Sequence, residues 1–496
     1  MQSIYGSCKR VVIWLGEQDS RTKSAVEGLE FMASKFDEGG HEQFHYKDWK
    51  RIKRGEKWNG PLAKSRSSLE RPGVIGAFLS IFGRPWFTRV WIIQELLLGP
   101  DPLLMCGSFE ISWETIEKAG SMSNVSFDLN EHLENLRAYR NVWRDPGYNL
   151  FGHMLFGWRN SVTDPRDKIY AYMGLVSDQS VHQIPVQVDY ATDTEKVFTN
   201  FTIQYLSQTL DLGILSCCRG IKPSGLSWIL NYDFNGAVEL VPEDTFNWSP
   251  TFRAGGNTRC VPIFTEDNTL IGLQGHEIDR IACASPIPSP SPDTEGETTV
   301  TKRLRFEYTE VTNFFRLYLH ARHICRIYDE RSYQPTNESI REAFYRTLTI
   351  SSTGRRFGFI SDVSPMIPLL DKLDKIIAKV ARSANISASL PLFILYCIST
   401  FRMRRDVNGD WALSTLLSQI EATRRRRFIT TENGYIGLAP SKAEVGDRVV
   451  LIQGHKPPVV ARRAGERWKL VGDCYLRGVM EGEMFNQGSC ELIWFE

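Results

Sequence analysis

The sequence lacks the loops by which many enzymes hold nucleotides or activate a nucleophile. It has no GxxxxGK[ST] segment, so a P-loop backbone cradle for phosphates is excluded; no GxGxxG opens a dinucleotide fold, and no GxSxG marks a hydrolase elbow. It lacks charge of one sign: 59 basic against 58 acidic residues leave +1, so no chain-wide field gathers a polyanion and nucleic acid is not an expected partner. It lacks long apolar runs. The longest, Leu390 to Ile398, falls far below the roughly 20 residues that cross a bilayer, so no membrane association is expected. Its ten cysteines include one adjacent pair, Cys217 and Cys218, but no CxxC and no regular framework, which fits reduced thiols in a cytoplasmic protein. No repeat of solenoid period occurs, and residues 1–10 carry no apolar core of a secretory leader.

What remains is an ordinary globular composition, 42% hydrophobic and 24% charged over 496 residues, enough for several cores. Arg10 to Gly16, RVVIWLG, reads as a buried parallel strand, followed by a helix capped by Ser20 and ended at Gly39-Gly40. Tyr46 to Pro72 holds nine basic and three acidic residues among few periodic apolar ones and reads as a basic insert, 37–72 overall. Arg84 to Leu98, RPWFTRVWIIQELLL, is predicted to be one helix presenting Trp91, Gln94, Glu95 and Leu98 on a shared face. A strand at 102–107 and a helix capped by Ser112 complete a first module of residues 1–160.

Residues 161–284 read as a mixed α/β region with a helix from Thr194 to Thr209 and a hairpin formed by 269–275 and 277–285. Prolines at 286, 288, 290 and 292 mark a linker over 285–303. Residues 304–423 are predicted to be helical, and 424–496 to form a small antiparallel barrel or rolled sheet, from strand-length runs broken at Asn433-Gly434 and Gly446-Asp447.

Three constellations stand out. His41-Glu42-Gln43-Phe44-His45 has the spacing of two zinc ligands and a base, but it enters the basic insert instead of a packed helix; His320, His323 and Cys325 supply no evident fourth ligand, so no metal is expected. The run Arg424 to Arg427 reads as a solvated junction. The densest segment is 84–95, where Arg89, Gln94 and Glu95 sit among Trp86, Phe87, Trp91, Ile92 and Ile93. A carboxylate there either pairs with an arginine such as Arg89 or Arg166, or is held in a cleft to stabilise a developing cation. Asp164, Arg166 and Asp167 form a second polar island, read as a structural clamp.

VVIWLG at 11–16, RPWFTRVWIIQE at 84–95, Cys106-Gly107 with ISWE at 111–114, and TDPRDKIYAYMGLVSD at 163–178 occur together and in one order. As a set they resemble the fungal heterokaryon incompatibility (HET) domain proteins, and LSWILNYDF at 226–234 and the C-terminal strands extend the likeness over most of the chain. The resemblance implies a TIR-like, flavodoxin-type parallel sheet with flanking helices. It further implies a role in fungal non-self recognition and programmed cell death. Some TIR-type domains cleave NAD between nicotinamide and ribose with one glutamate. By that analogy Glu95 is the candidate catalytic residue, Trp91 a candidate contact for the nucleotide, and NAD a candidate substrate with no resident cofactor required. Tyr-x-Trp-Gly and Trp-Ile-Asp elements that open other members are absent ahead of Met1, so the domain is expected to be incomplete at its N terminus, with an open pocket wall. The competing expectations are a non-catalytic protein that self-associates or binds a partner, and an inactive truncated homologue.

Overall fold

The computed structural model describes residues 2–37, 81–122, 136, 140, 150–157, 160–176, 184, 186–218, 220–221, 225–231, 252–290, 299–329, 331–348, 350 and 423–496. Nearly all of the basic insert, the HExxH segment and all of 351–422, with the apolar run at 390–398, lie outside them. The chain divides into two compact units, residues 1–194 with 233–236 and residues 195–232 with 237–496. The architecture is mixed α/β, with helices, several sheets and a β-rich C-terminal region.

The first unit opens with a short helix α1 (Gln2–Ser7), strand β1 (Val12–Trp14) and helix α2 (Thr22–Asp37). Asp19, not Ser20, starts α2: its carboxylate accepts from Arg21 N at 2.9 Å and Thr22 Oγ1 at 2.9 Å, satisfying groups that have no partner inside the helix. The expected single helix over 84–98 is instead a 3-10 turn, Pro85–Thr88, then helix α3 (Ile92–Leu98). The break has a local cause. Arg89 is extended and bridges Ser161, with Val90 N donating to Ser161 O at 3.1 Å, so this backbone is committed to a neighbouring strand-like segment.

Strands β2 (Leu103–Cys106) and β3 (Phe109–Ser112) form a hairpin whose tight turn uses Gly107 at φ +56°. Strand β1 joins β2 in parallel, Ile13 opposite Leu104, giving the order β1-β2-β3. The parallel pairing matches expectation, but burial on both faces does not. Ile13 is buried while Val12 and Trp14 are 56% and 52% exposed, because β1 is an edge strand of this three-stranded sheet among the described residues. Helix α4 (Trp113–Met122), capped by Ser112 Oγ accepting from Thr115 N at 3.1 Å, packs beside α2 and buries Trp113, Ile116 and Ala119. Helices α5 (Leu150–Phe156) and α6 (Asp167–Met173) complete this unit.

The second unit begins with α7, whose bounds Thr194–Thr209 are those expected, its buried Phe198, Phe201, Tyr205 and Leu206 falling on one stripe. Trp228 is fully buried, and Leu230 forms an isolated bridge with Cys218. The hairpin expected at 269–285 is one strand of 14 residues, β5 (Ile271–Ala284). Gly275 does not turn the chain. It lets β5 pass close to β10 (Arg448–Ile452), where a Cβ would lie 2.6 Å from the Leu451 carbonyl.

Around β5 a sheet closes: β10, β11 (Val459–Ala464), β12 (Arg467–Asp473) and β14 (Glu491–Phe495) lead back to β5, which pairs with β10 again. All these pairings are antiparallel except β12 with β14. Closure removes the open edges that a small sheet would expose. The far end of β5 continues through β8 (Arg426–Thr431) and β9 (Ile436–Pro440) to β13 (Tyr475–Leu476). Val449, Leu451, Val460, Val471 and Leu476 fill the barrel core. Helices α8 (Thr299–Cys325) and α9 (Ile340–Leu348) pack Phe314, Tyr318 and Phe344 against Phe428 and Leu438. Helix α8 starts within the stretch read as linker.

The expected solvation of Arg424 to Arg427 is overturned at two positions. Strand alternation turns Arg426 inward, where it pairs with buried Asp473 at 2.8 Å. Arg427 donates through Nε to Ser285 O at 2.6 Å and through Nη1 to Ala443 O.

Candidate functional site

Two tryptophans from one short segment each place an indole N–H on a carboxylate. Trp86, in the 3-10 turn, donates from Nε1 to Glu95 Oε2 at 2.6 Å. Trp91, at the start of α3, donates to Asp167 Oδ2 at 3.0 Å. The Trp86 ring is 6% exposed and stands edge-on to Phe87, centroids 5.0 Å apart, which fixes its donor. Helix α3 explains why the neighbours diverge. Ile92, Ile93, Leu96 and Leu97 face the core, and Gln94 with them, donating from Nε2 to the Ala171 carbonyl at 2.7 Å. Trp91, Glu95 and Leu98 lie on the half-buried side. Gln94 therefore leaves the face it was expected to share.

The Tyr5 phenol of α1, a residue that no sequence signal singled out, lies near enough to Glu95 to feel its charge. Burial and the neighbouring Glu95 charge push the Tyr5 phenol above its ordinary value, while Arg89 pulls it down. The expected arginine partners are elsewhere. Among the described residues Glu95 makes no ion pair, and Arg166 is spent on Asp164, 2.7 Å away, and on the Tyr190 and Thr192 carbonyls at 2.6 and 2.7 Å. Arg89 is exposed beside this group. Glu95 is thus a half-buried carboxylate held by one neutral donor, the Trp86 indole.

The second island is a clamp, as its composition suggested. Asp164 accepts from Arg166 N at 3.0 Å and Nε at 2.9 Å, which starts α6 and holds the Asp164 carboxyl below its ordinary value. Asp167 accepts from Tyr190 OH at 2.6 Å as well as from Trp91, and burial with that charge pushes the Tyr190 phenol up. Tyr190 also meets Tyr170 edge-on, centroids 5.3 Å apart, and lies under the Arg166 guanidinium. Trp91 is accordingly engaged in this clamp through its indole nitrogen. Among the described residues no three His, Cys, Asp or Glu side chains are placed to hold a metal ion, and no helix is long and apolar enough to cross a membrane.

Two family models match parts of the chain. The heterokaryon incompatibility protein (HET) family model matches residues 1–95, a span that ends on Glu95, and the Het-6 beta-barrel domain model matches residues 403–492. The chain is thus similar to heterokaryon incompatibility (HET) proteins at its N-terminal end and to the Het-6 beta-barrel domain near its C-terminal end. Its resemblance to one curated protein is nearly end to end: it is 22% identical to the Neurospora crassa heterokaryon incompatibility protein 6, OR allele, over 98% of this chain and 78% of that protein. No solved structure matches.

Proposed function

We propose that this protein acts in the cytoplasm in fungal heterokaryon incompatibility, signalling cell death after non-self contact, and that its HET unit does so as a TIR-like NAD glycohydrolase. The incompatibility role is supported by the HET and Het-6 barrel matches and by the Neurospora relative named for that process. The catalytic reading is carried by one observation: Glu95 is half-buried, takes a hydrogen bond from Trp86, and has no ion pair among the described residues. A carboxylate so held keeps its negative charge available to a cation in the site. In the reaction the C1′–N bond to nicotinamide breaks and its electron pair leaves on the neutral nicotinamide ring. The ribosyl C1′ becomes oxocarbenium-like beside Glu95, and water adds with loss of a proton, so NAD⁺ and water give ADP-ribose, nicotinamide and H⁺. Parallel pairing of β1 with β2 and the flanking helices are consistent with a TIR-like, flavodoxin-type sheet.

The exposed Val12 and Trp14 on edge strand β1 favour a second reading, a surface that self-associates or binds a partner. Expression in fungal hyphae separates the two. Death with a fall in cellular NAD, both lost in Glu95→Gln, supports catalysis; death that persists in Glu95→Gln with NAD unchanged refutes it and favours partner binding.

A further inference from the structure

We infer that Cys490 and His276 form a thiol–base pair on the C-terminal barrel, a modification site at which hydrogen peroxide oxidises Cys490 to the sulfenic acid. Glu95 and NAD play no part in it. Glu491 lies opposite Gly275 where β14 pairs with β5, so the next residues, Cys490 and His276, stand side by side with Sγ 3.8 Å from Nδ1. Both side chains are half-buried. The state of the imidazole follows from its other nitrogen. Nε2 lies 3.3 Å from the Met484 carbonyl, which can only accept, so Nε2 carries the hydrogen and Nδ1 faces the thiol as a bare acceptor. The Phe485 ring packs beside the imidazole, centroids 5.8 Å apart. A 3-10 turn, Gln487–Ser489, capped by the Asn486 side chain, sets Cys490 in place. The Asn486 carbonyl lies 3.7 Å from Sγ but cannot take up its proton. Burial and the neighbouring Cys260 thiol push the Cys490 thiol up, so ionisation without a base is disfavoured and reaction depends on His276. In the reaction Sγ attacks one peroxide oxygen: the S–O bond forms, the O–O bond breaks, and the thiol proton passes to Nδ1 and then to the departing hydroxide. The thiol and the peroxide thus give a sulfenic acid and water, with sulfur oxidised and the peroxide reduced by one electron pair.

The test is dimedone trapping of sulfenic acid in the reduced full chain exposed to hydrogen peroxide near neutral pH, with the adduct on each cysteine read by peptide mass spectrometry. Cys8 is the internal reference. It too is half-buried, but its thiol donates to the Tyr5 carbonyl at 3.1 Å, a group that takes up no proton. An unassisted thiol is only roughly a few per cent thiolate at neutral pH, so a positioned base should make Cys490 react about tenfold faster than Cys8. His276→Gln keeps an amide that can donate to the Met484 carbonyl but offers no base. It should slow Cys490 by about tenfold and leave Cys8 unmoved. A Cys490 that reacts no faster than Cys8, or that keeps its rate in His276→Gln, would overturn the inference. The comparison with Cys8 is made within the parent protein, so it decides the matter even if His276→Gln melts early.

Discussion

Replacing Asp473 with Leu should cost the barrel unit about 3 to 5 kcal/mol, because it strands a buried guanidinium that has no neutral form. The Arg426 side chain is 0% exposed and that of Asp473 1%, with Nη2 2.8 Å from the carboxylate. Arg426 Nη1 also donates to the Asp473 carbonyl at 3.1 Å, a bond that survives the substitution but supplies no countercharge. The mirror change, Arg426→Met, behaves differently because a carboxyl can neutralise itself. Burial already pushes Asp473 up against the pull of Arg426 and the Ser216 hydroxyl, and without Arg426 it rises further. A carboxyl whose folded value lies above its unfolded value contributes stability that is complete below the unfolded value and lost as pH rises through the folded one. Lowering the pH from about 7 to about 5 should therefore return up to about 2 to 3 kcal/mol to Arg426→Met relative to the parent, at about 1.4 kcal/mol per pH unit, and nothing comparable to Asp473→Leu. The double variant Arg426→Met with Asp473→Leu should recover most of the loss, since apolar replacement of a buried pair is near neutral. Urea denaturation of the full chain at both pH values, with the barrel transition followed by near-ultraviolet circular dichroism, measures all four proteins. A cost for Asp473→Leu below about 1 kcal/mol, or a double variant no better than that single one, would refute the reasoning.

Trp86→Ala should destabilise the first unit by roughly 3 to 5 kcal/mol, and Trp91→Ala by clearly less, because Trp86 is core and Trp91 is half-buried; urea midpoints of the two variants check the order. His153 is buried and its imidazole is pushed down to about 4 from 6.5, so its folded value is depressed. Its contribution is complete above about pH 6.5 and is lost as pH falls toward 4, about 3 kcal/mol in all, and His153→Gln should flatten that slope in thermal melts across the window. Gly437→Ala should cost about 1 to 3 kcal/mol by forcing β9 from β13, since a Cβ there would lie 2.1 Å from the Tyr475 carbonyl; a neutral melting temperature would contradict this.

Much of the fold was legible where period and capping agreed. The helix Thr194–Thr209, the Ser112 cap, the parallel strand after Arg10 and a barrel-like C-terminal region all follow from local pattern. The failures are tertiary. Nothing within 269–285 says that a Gly beside a histidine will pass a neighbouring strand instead of turning, because the reason is the Leu451 carbonyl far along the chain. Arg426 reads as a surface charge until Asp473 meets it. At the candidate site the density of aromatics around Glu95 was visible, and so was the clamp at Asp164 and Arg166. The donor to Glu95 was not, since Trp86 reaches it only because the expected helix breaks at Arg89.

The most direct test of the catalytic role of Glu95 is nicotinamide release from NAD by the purified full chain and by Glu95→Gln, read together with the melting temperature of each. The expected result is release by the parent, its abolition in Glu95→Gln, and a melting temperature that stays nearly the same, because Gln can still accept from Trp86 while no buried arginine is left without a partner. Release that persists in Glu95→Gln, or a variant that loses activity only because it melts, would contradict it.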